Sequence, residues 1–357
     1  MSGFADRTGL TSEHPPRRYL WTDSFAVCNF LGLGQTDLAL RLIDQVHHTL
    51  GRHRPDDSRS GWISGLADAE GEAHPTRGGL RIGKPLPERR ADERFDEQLE
   101  WERDGQYFHY LTKWMHALDQ ASRLTGQPRF NLSARELAET AWAAFTGGSR
   151  RMVWKMSIDL SRPLVSTMGQ HDPLDGFITC AQLRASAAAL PNGAEGPRLD
   201  AALTAFGAMI AGGEWTTADP LGLGGLLTDA WRVEQLVARA ALPDDALTHT
   251  LLQAALYGLQ LYSQSGELRQ PARRRLAFRE LGLSIGLHAI ELMQARKSAA
   301  ATSELLEALS PWVSQSAAIE AFWLQNRETR TWAEHRDIND VMLATSLAPR
   351  GFLGGLE

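Results

Sequence analysis

Gln170-His171-Asp172-Pro173-Leu174-Asp175-Gly176 places one imidazole and two carboxylates within five positions. Groups of these types move protons near neutral pH when burial or neighbouring charge shifts them, so the pattern suits acid–base chemistry. Pro173 and Gly176 predict a turn here rather than a helix. Apolar helical positions flank it, with Met152, Met156, Leu160 and Leu164 before and Ile178, Leu183 and Ala187 after. The competing reading is that Asp172 or Asp175 only caps the helix that follows.

Aromatic and polar residues recur together elsewhere. They stand at Tyr19-Leu20-Trp21-Thr22-Asp23, Gln106-Tyr107-Phe108-His109-Tyr110, Trp154-Lys155, Glu214-Trp215-Thr216-Thr217-Ala218-Asp219 and Trp332-Ala333-Glu334-His335. Rings at helix starts can stack on the apolar faces of a ligand while polar neighbours bind its hydroxyls. The alternative for each tryptophan is an ordinary place in the core. His335 and Asn339, four residues apart, share a helical face, as do Arg336 and Asp340.

The elements that must position these residues read as helices. Leu252, Ala255, Leu256, Leu259 and Tyr262 form one apolar face, and Leu281, Ile285, Leu287, His288, Leu292 and Met293 form another. Hairpins are expected near 20–50, 105–146, 152–190, 199–239, 248–297 and 302–346. The fold class is therefore all-α, a single domain over 1–357. A closed ring of hairpins brings equivalent helix ends to one mouth.

With Trp21-Thr22-Asp23 on the first helix, these hairpins resemble the six-hairpin, (α/α)6-barrel superfamily, which includes N-acylglucosamine 2-epimerases and unsaturated glucuronyl hydrolases. Leu20-Trp21-Thr22-Asp23-Ser24-Phe25 is similar to a barrel-helix start in the hydrolases. Gln106–Trp114 is similar to an inner helix of the epimerase-like members. The resemblance implies an (α/α)6 toroid and a carbohydrate ligand, and leaves the exact family open.

The connection over 51–104 is unusually long, and such segments often act as lids. Trp62 and Ile63 are its expected anchors, within a small β-hairpin over the mouth. Gly78-Gly79-Leu80-Arg81-Ile82-Gly83-Lys84 begins like a phosphate-binding loop, but Pro85 stands where a Ser or Thr is needed and no strand–loop–helix unit surrounds it, which argues against nucleotide hydrolysis. Arg81 and Lys84 remain candidates for an acidic group on a ligand.

Composition narrows the class. The chain is 43% apolar and 22% charged, with 37 basic against 43 acidic residues and a net charge of −6. That balance lacks the basic surface a nucleic-acid partner requires. No apolar run is long enough to span a bilayer, and Met1–Arg7 lacks a signal-peptide core. Two cysteines, Cys28 and Cys180, imply no disulfide framework and fit a cytoplasmic protein. A divalent ion between Asp23, His171, Asp172 and Asp175 is chemically feasible, but no HExxH or paired Cys/His spacing occurs, so no metal or cofactor is expected.

Three functions stay open. A carbohydrate-active hydrolase or lyase would pair Asp23 with Asp172 or Asp175 as acid and base. A sugar isomerase or epimerase would use His171, His109 or His335, with Lys155 stabilising an enolate oxygen. A noncatalytic helical protein would only bind its ligand. The expected catalytic set is Asp23, His171, Asp172, Asp175 and His335. The expected ligand wall is Trp21, Tyr107, His109, Trp154, Lys155, Trp215 and Trp332. The partner is a small sugar or glycoside, with a homo-oligomer compatible with all three functions.

Overall fold

Helices dominate because their ends are chemically marked and their faces are apolar. The structure, a computed structural model, describes residues 1–148, 151–167, 169–190, 195–296 and 300–355, the side chains of 300 and 301 excepted. Contacts gather into two compact units, Ser2–Ala211 and Gly212–Glu357.

The first unit contains α1 (Ser2–Arg7), α2 (Leu20–Gly32), α3 (Thr36–Leu50), α4 (Asp68–Ala73), α5 (Glu97–Glu102), α6 (Phe108–Thr125), α7 (Pro128–Thr146), α8 (Asp172–Ala189) and α9 (Asp200–Ile210). Three short strands, β1 (Gln106–Tyr107), β2 (Lys155–Met156) and β3 (Pro163–Val165), form one antiparallel sheet. Gln106 pairs with Met156 and Tyr107 with Lys155. The pairs α2/α3, α6/α7 and α8/α9 are successive helical hairpins, and α6 packs against both α2 and α8.

The sequence distinguishes enclosed helices from half-exposed ones. Every residue of α2 from Leu20 to Leu31 is buried, the polar Thr22, Asp23, Ser24 and Asn29 with the apolar majority, so the helix is enclosed on all sides. Its return helix α3 buries a single stripe, Ala39, Leu42, Ile43, Val46, His47 and Leu50. α6 ends at Gly126, whose φ of 68° is the left-handed conformation that lets the chain turn directly into α7.

The second unit contains α10 (Pro220–Ala238), α11 (Ala246–Ser265), α12 (Ala277–Gln294), α13 (Ala300–Gln325), α14 (Arg330–Glu334), α15 (Arg336–Leu347) and α16 (Arg350–Leu353). α10 pairs with α11 and α12 with α13, while α12 also packs against α10 and α15. Arg275 anchors this core: it forms a two-pronged ion pair with Glu280, at 2.7 and 2.6 Å, beneath the ring of Phe322. The Trp323 indole donates to the same carboxylate at 2.8 Å.

An all-α class is thus correct, but of the expected hairpins only 20–50 and 105–146 form as read: in 248–297 and 302–346 the pairing is shifted, α11 packing on α10 and α13 chiefly on α12, and two further segments differ in kind. The 152–190 segment is β2 and β3 followed by one helix, because Lys155–Met156 pairs with β1 rather than coiling. The 199–239 segment spans the two units; α9 pairs with α8 instead. Asp172–Gly176, expected as a turn, is the first turn of α8. Pro173 sits where a helix has no use for an amide proton. Gly176 is required by packing: a Cβ there would lie 2.9 Å from Phe206 and 3.0 Å from Phe108.

The 51–104 segment is tied down along its length. Trp62 is buried under Arg52, and Arg52 and Trp62 form an isolated antiparallel bridge, not a full hairpin. Arg81 pairs with the fully buried Asp104 at 2.6 Å and donates to the carbonyls of Thr49 and Arg52. The Leu80 amide donates to Gln106 Oε1, and the Ile82 amide to the Gly105 carbonyl. Arg81, proposed for an acidic ligand group, is consumed by this network.

Candidate active site

The starts of α2, α6 and α8 meet in the first unit. Each contributes a different chemistry: Trp21 from α2, His109 from α6, Asp172 and Asp175 from α8. These positions lie in first helical turns, where exposed backbone N–H groups create a positive end.

His109 Nδ1 lies 3.9 Å from Asp172 Oδ1. Asp172 is 5% exposed, and its carboxyl is pushed up to about 7, by burial first and then by the charge of Asp175. Lys113 and a hydrogen bond with the Gly169 backbone pull the other way and do not prevail. His109 is pushed down to about 4, by burial first and then by the Lys113 ammonium. At neutral pH the imidazole is therefore uncharged, and the carboxyl is poised between its two forms.

Asp175 is bound differently. Its Oδ2 accepts from Lys113 Nζ at 2.7 Å and from the Thr112 hydroxyl at 2.5 Å. Two carboxylates three residues apart on one helix thus have distinct surroundings: one ion-paired, the other against an uncharged ring.

Aromatic rings enclose the pair. Tyr107 is stacked on His109 with centroids 5.3 Å apart, and Trp154 lies nearly parallel to His109 at 6.1 Å and 17°. Tyr110 meets His109 edge-on at 4.8 Å, and Trp21 does so at 6.1 Å. The sheet brings two of these rings close, since Tyr107 stands on β1 and Trp154 directly precedes its partner strand β2. The Tyr110 hydroxyl hydrogen-bonds that of Tyr19 at 2.6 Å.

Among the described residues, three buried polar atoms in this cluster have no hydrogen-bond partner: Trp21 Nε1, His109 Nδ1 and Asp172 Oδ2. Buried polar atoms are nearly always satisfied, so three orphans in one cluster make it the candidate site.

No family model matches this chain, nor does any curated protein or solved structure. The site must therefore be interpreted from its own geometry.

That geometry brings together Trp21, Tyr107, His109, Trp154, Asp172 and Asp175 from the sequence expectations. Asp23 lies close by in sequence but serves the helix start. Its Oδ2 accepts the Tyr19 amide at 2.9 Å, and Arg18 lies 3.6 Å from its other oxygen. His171 directly precedes α8 and lends its carbonyl to the Asp175 amide at 3.0 Å. Among the described residues, no group of three or more His, Cys, Asp or Glu is arranged to hold a metal ion.

Lys155 is a correction. It is fully buried, and its ammonium donates to Glu100 Oε1 at 2.9 Å and to the carbonyls of Glu100 and Arg103 at 2.7 and 2.8 Å. An ammonium has three protons, so none is left for an enolate oxygen. Trp332 is a second: it is 1% exposed, packed near Trp323, with its indole donating to Asp340 at 3.2 Å. Trp215 is also buried, and His335 is exposed beside Phe278; both belong to the second unit.

Lys113 and Thr112 escaped the sequence reading, and Tyr110, inside the aromatic run Gln106–Tyr110, was not placed in the expected site. Lys113 stands four residues after His109 and so shares its helical face, a signal that was available. Thr112 carries no such mark.

Proposed function

We propose that residues Ser2–Ala211 carry the acid–base site of a carbohydrate-active enzyme that hydrolyses or lyses a sugar-containing small molecule. Asp172, protonated up to about pH 7, gives its proton to the leaving oxygen as the C–O bond breaks. Neutral His109 accepts a proton from the attacking water, whose oxygen forms the new bond to carbon. In the lytic variant, His109 takes a proton from carbon and no water adds. Lys113 and Thr112 fix Asp175, whose charge helps hold the Asp172 proton in place. Asp23 positions Trp21 by closing the start of α2.

The observation that carries this reading is the group of three orphaned polar atoms beneath aromatic rings. Rings match the apolar faces of a sugar, and unpaired donors and acceptors match its hydroxyls. The (α/α)6 toroid belongs to the same proposal, supported by successive helical hairpins in each unit. No helix among the described residues is long and apolar enough to cross a membrane. Both cysteines are buried and free, in keeping with the proposed cytoplasmic setting.

A mass-resolved screen of glycosides, uronides and free sugars tests the proposal. Hydrolysis yields two fragments with one water added; elimination yields two fragments without it. Sugar isomerisation is the second reading, because His109 is among the histidines it requires, and it conserves mass. Binding without turnover in any series would leave the noncatalytic alternative.

A further inference from the structure

The 51–104 segment ends in α5, and α5 is held in an unusual way. Its buried residue is Glu100, an acid, bound by Lys155 at 2.9 Å and Arg89 at 3.0 Å. Asp96 caps the helix by accepting the Leu99 amide at 3.0 Å. The apolar side chains of α5 do not anchor it: Trp101 and Leu99 are each 45% exposed. An indole left half in water on a polar-anchored helix is available for another contact.

Trp101 also continues the ring series of the candidate site. Its centroid is 4.9 Å from that of Trp154, and the two planes form a corner of 76°. Trp154 lies 5.4 Å from Tyr107 and nearly parallel to His109. Contacting rings therefore run without a break from the His109–Asp172 pair to a half-exposed indole.

We propose that the ligand is a chain of two or more sugar rings, and that Trp101 stacks on the ring next to the one held at His109 and Asp172. This rests on the carbohydrate reading above. Burying a second ring against Trp101 favours longer ligands over single sugars, through apolar area and CH–π contact. The 51–104 segment would then act as a fixed wall that selects ligand length.

The test measures binding of gluco-, xylo-, manno- and chito-oligosaccharides of one to four rings by calorimetry. Wild-type protein, Trp101→Ala, Trp101→Phe and Asp172→Asn are compared. In any series that binds, the two-ring member should bind about tenfold more tightly than the single ring. Trp101→Ala should remove that gap and leave single-ring affinity within about twofold. Trp101→Phe should keep part of the gap, and Asp172→Asn should keep all of it. Equal affinity for one and two rings, or an unchanged gap in Trp101→Ala, overturns the inference and leaves the acid–base reading standing. So does a concentration-dependent dimer that Trp101→Ala abolishes while chain length has no effect, because Trp101 then serves self-association. Absence of binding in every series overturns this inference and the carbohydrate reading together.

Discussion

The His109 imidazole and the Asp172 carboxyl face each other at 3.9 Å across α6 and α8, each shifted toward its uncharged form. Burial drives both shifts, and the Lys113 ammonium further disfavours an imidazolium. Between about pH 4 and pH 7 both groups are uncharged, so the pair rests in its site of low polarity without a bare charge on either side. That property separates it from the surface ion pairs elsewhere in the chain.

Asp172→Asn keeps shape and removes the ionisable group. Turnover should fall roughly 10²–10⁴-fold if Asp172 transfers a proton. Stability near pH 7 should be little lowered, because Oδ2 has no hydrogen-bond partner to lose. Steady-state kinetics beside thermal unfolding checks both. An unfolded variant, or one with full turnover, would remove Asp172 from the chemistry.

The pH dependence of stability separates the two groups. Asp172 binds its proton more tightly folded than unfolded, so its contribution is full below about pH 4 and is lost as pH rises through about 7. His109 binds its proton more weakly folded, so its contribution is present above the unfolded value of about 6.5 and is lost as pH falls through about 4. The two slopes oppose each other between pH 4 and 6.5. Asp172→Asn should therefore gain stability relative to wild type as pH rises from 4 to 7, and His109→Gln should lose relative stability over that range. Denaturant titrations at several pH values check the signs.

Lys113→Met should raise both titrations, since the ammonium lowers Asp172 and His109 alike. It should also destabilise the fold by about 3–5 kcal/mol, because Asp175, 5% exposed, would lose its charge partner. Side-chain NMR titration of Asp172 and His109 gives the first outcome and chemical denaturation the second. A helix-capping role for Asp175 alone would produce neither shift.

How far the site was legible depends on chain separation. Asp172, Asp175, His109, Tyr107 and Trp21 carried local signals, because helix starts concentrate rings and acids. Lys155 and Trp332 carried similar signals and are structural. Their partners, Glu100 and Asp340, satisfy them through contacts that composition does not mark. Helix or strand at Trp154–Met156 was equally hidden, since a short apolar run serves either. Pro173 misled for a related reason: proline favours both a turn and a first helical position.

The last expectation concerns the 51–104 segment, which the sequence casts as a lid. Its length argued for motion, yet its interior is pinned by groups that water cannot easily replace. Asp104 is wholly buried, paired with Arg81 at 2.6 Å and bonded to the Gly83 amide at 3.0 Å. Such a carboxylate cannot leave its partners cheaply, because removing one side of a buried ion pair costs about 3–5 kcal/mol. The amides of Leu80, Arg81 and Ile82 should therefore exchange slowly with or without ligand, while those of 91–95 exchange quickly. Asp104→Asn should accelerate exchange at 80–83 and lower the unfolding temperature without first altering the Asp172 titration. Hydrogen-exchange mass spectrometry on wild type and variant reads both regions at once. Fast exchange at 80–83 in the free wild type would restore the lid, and a fixed wall bearing Trp101 would then be the wrong description.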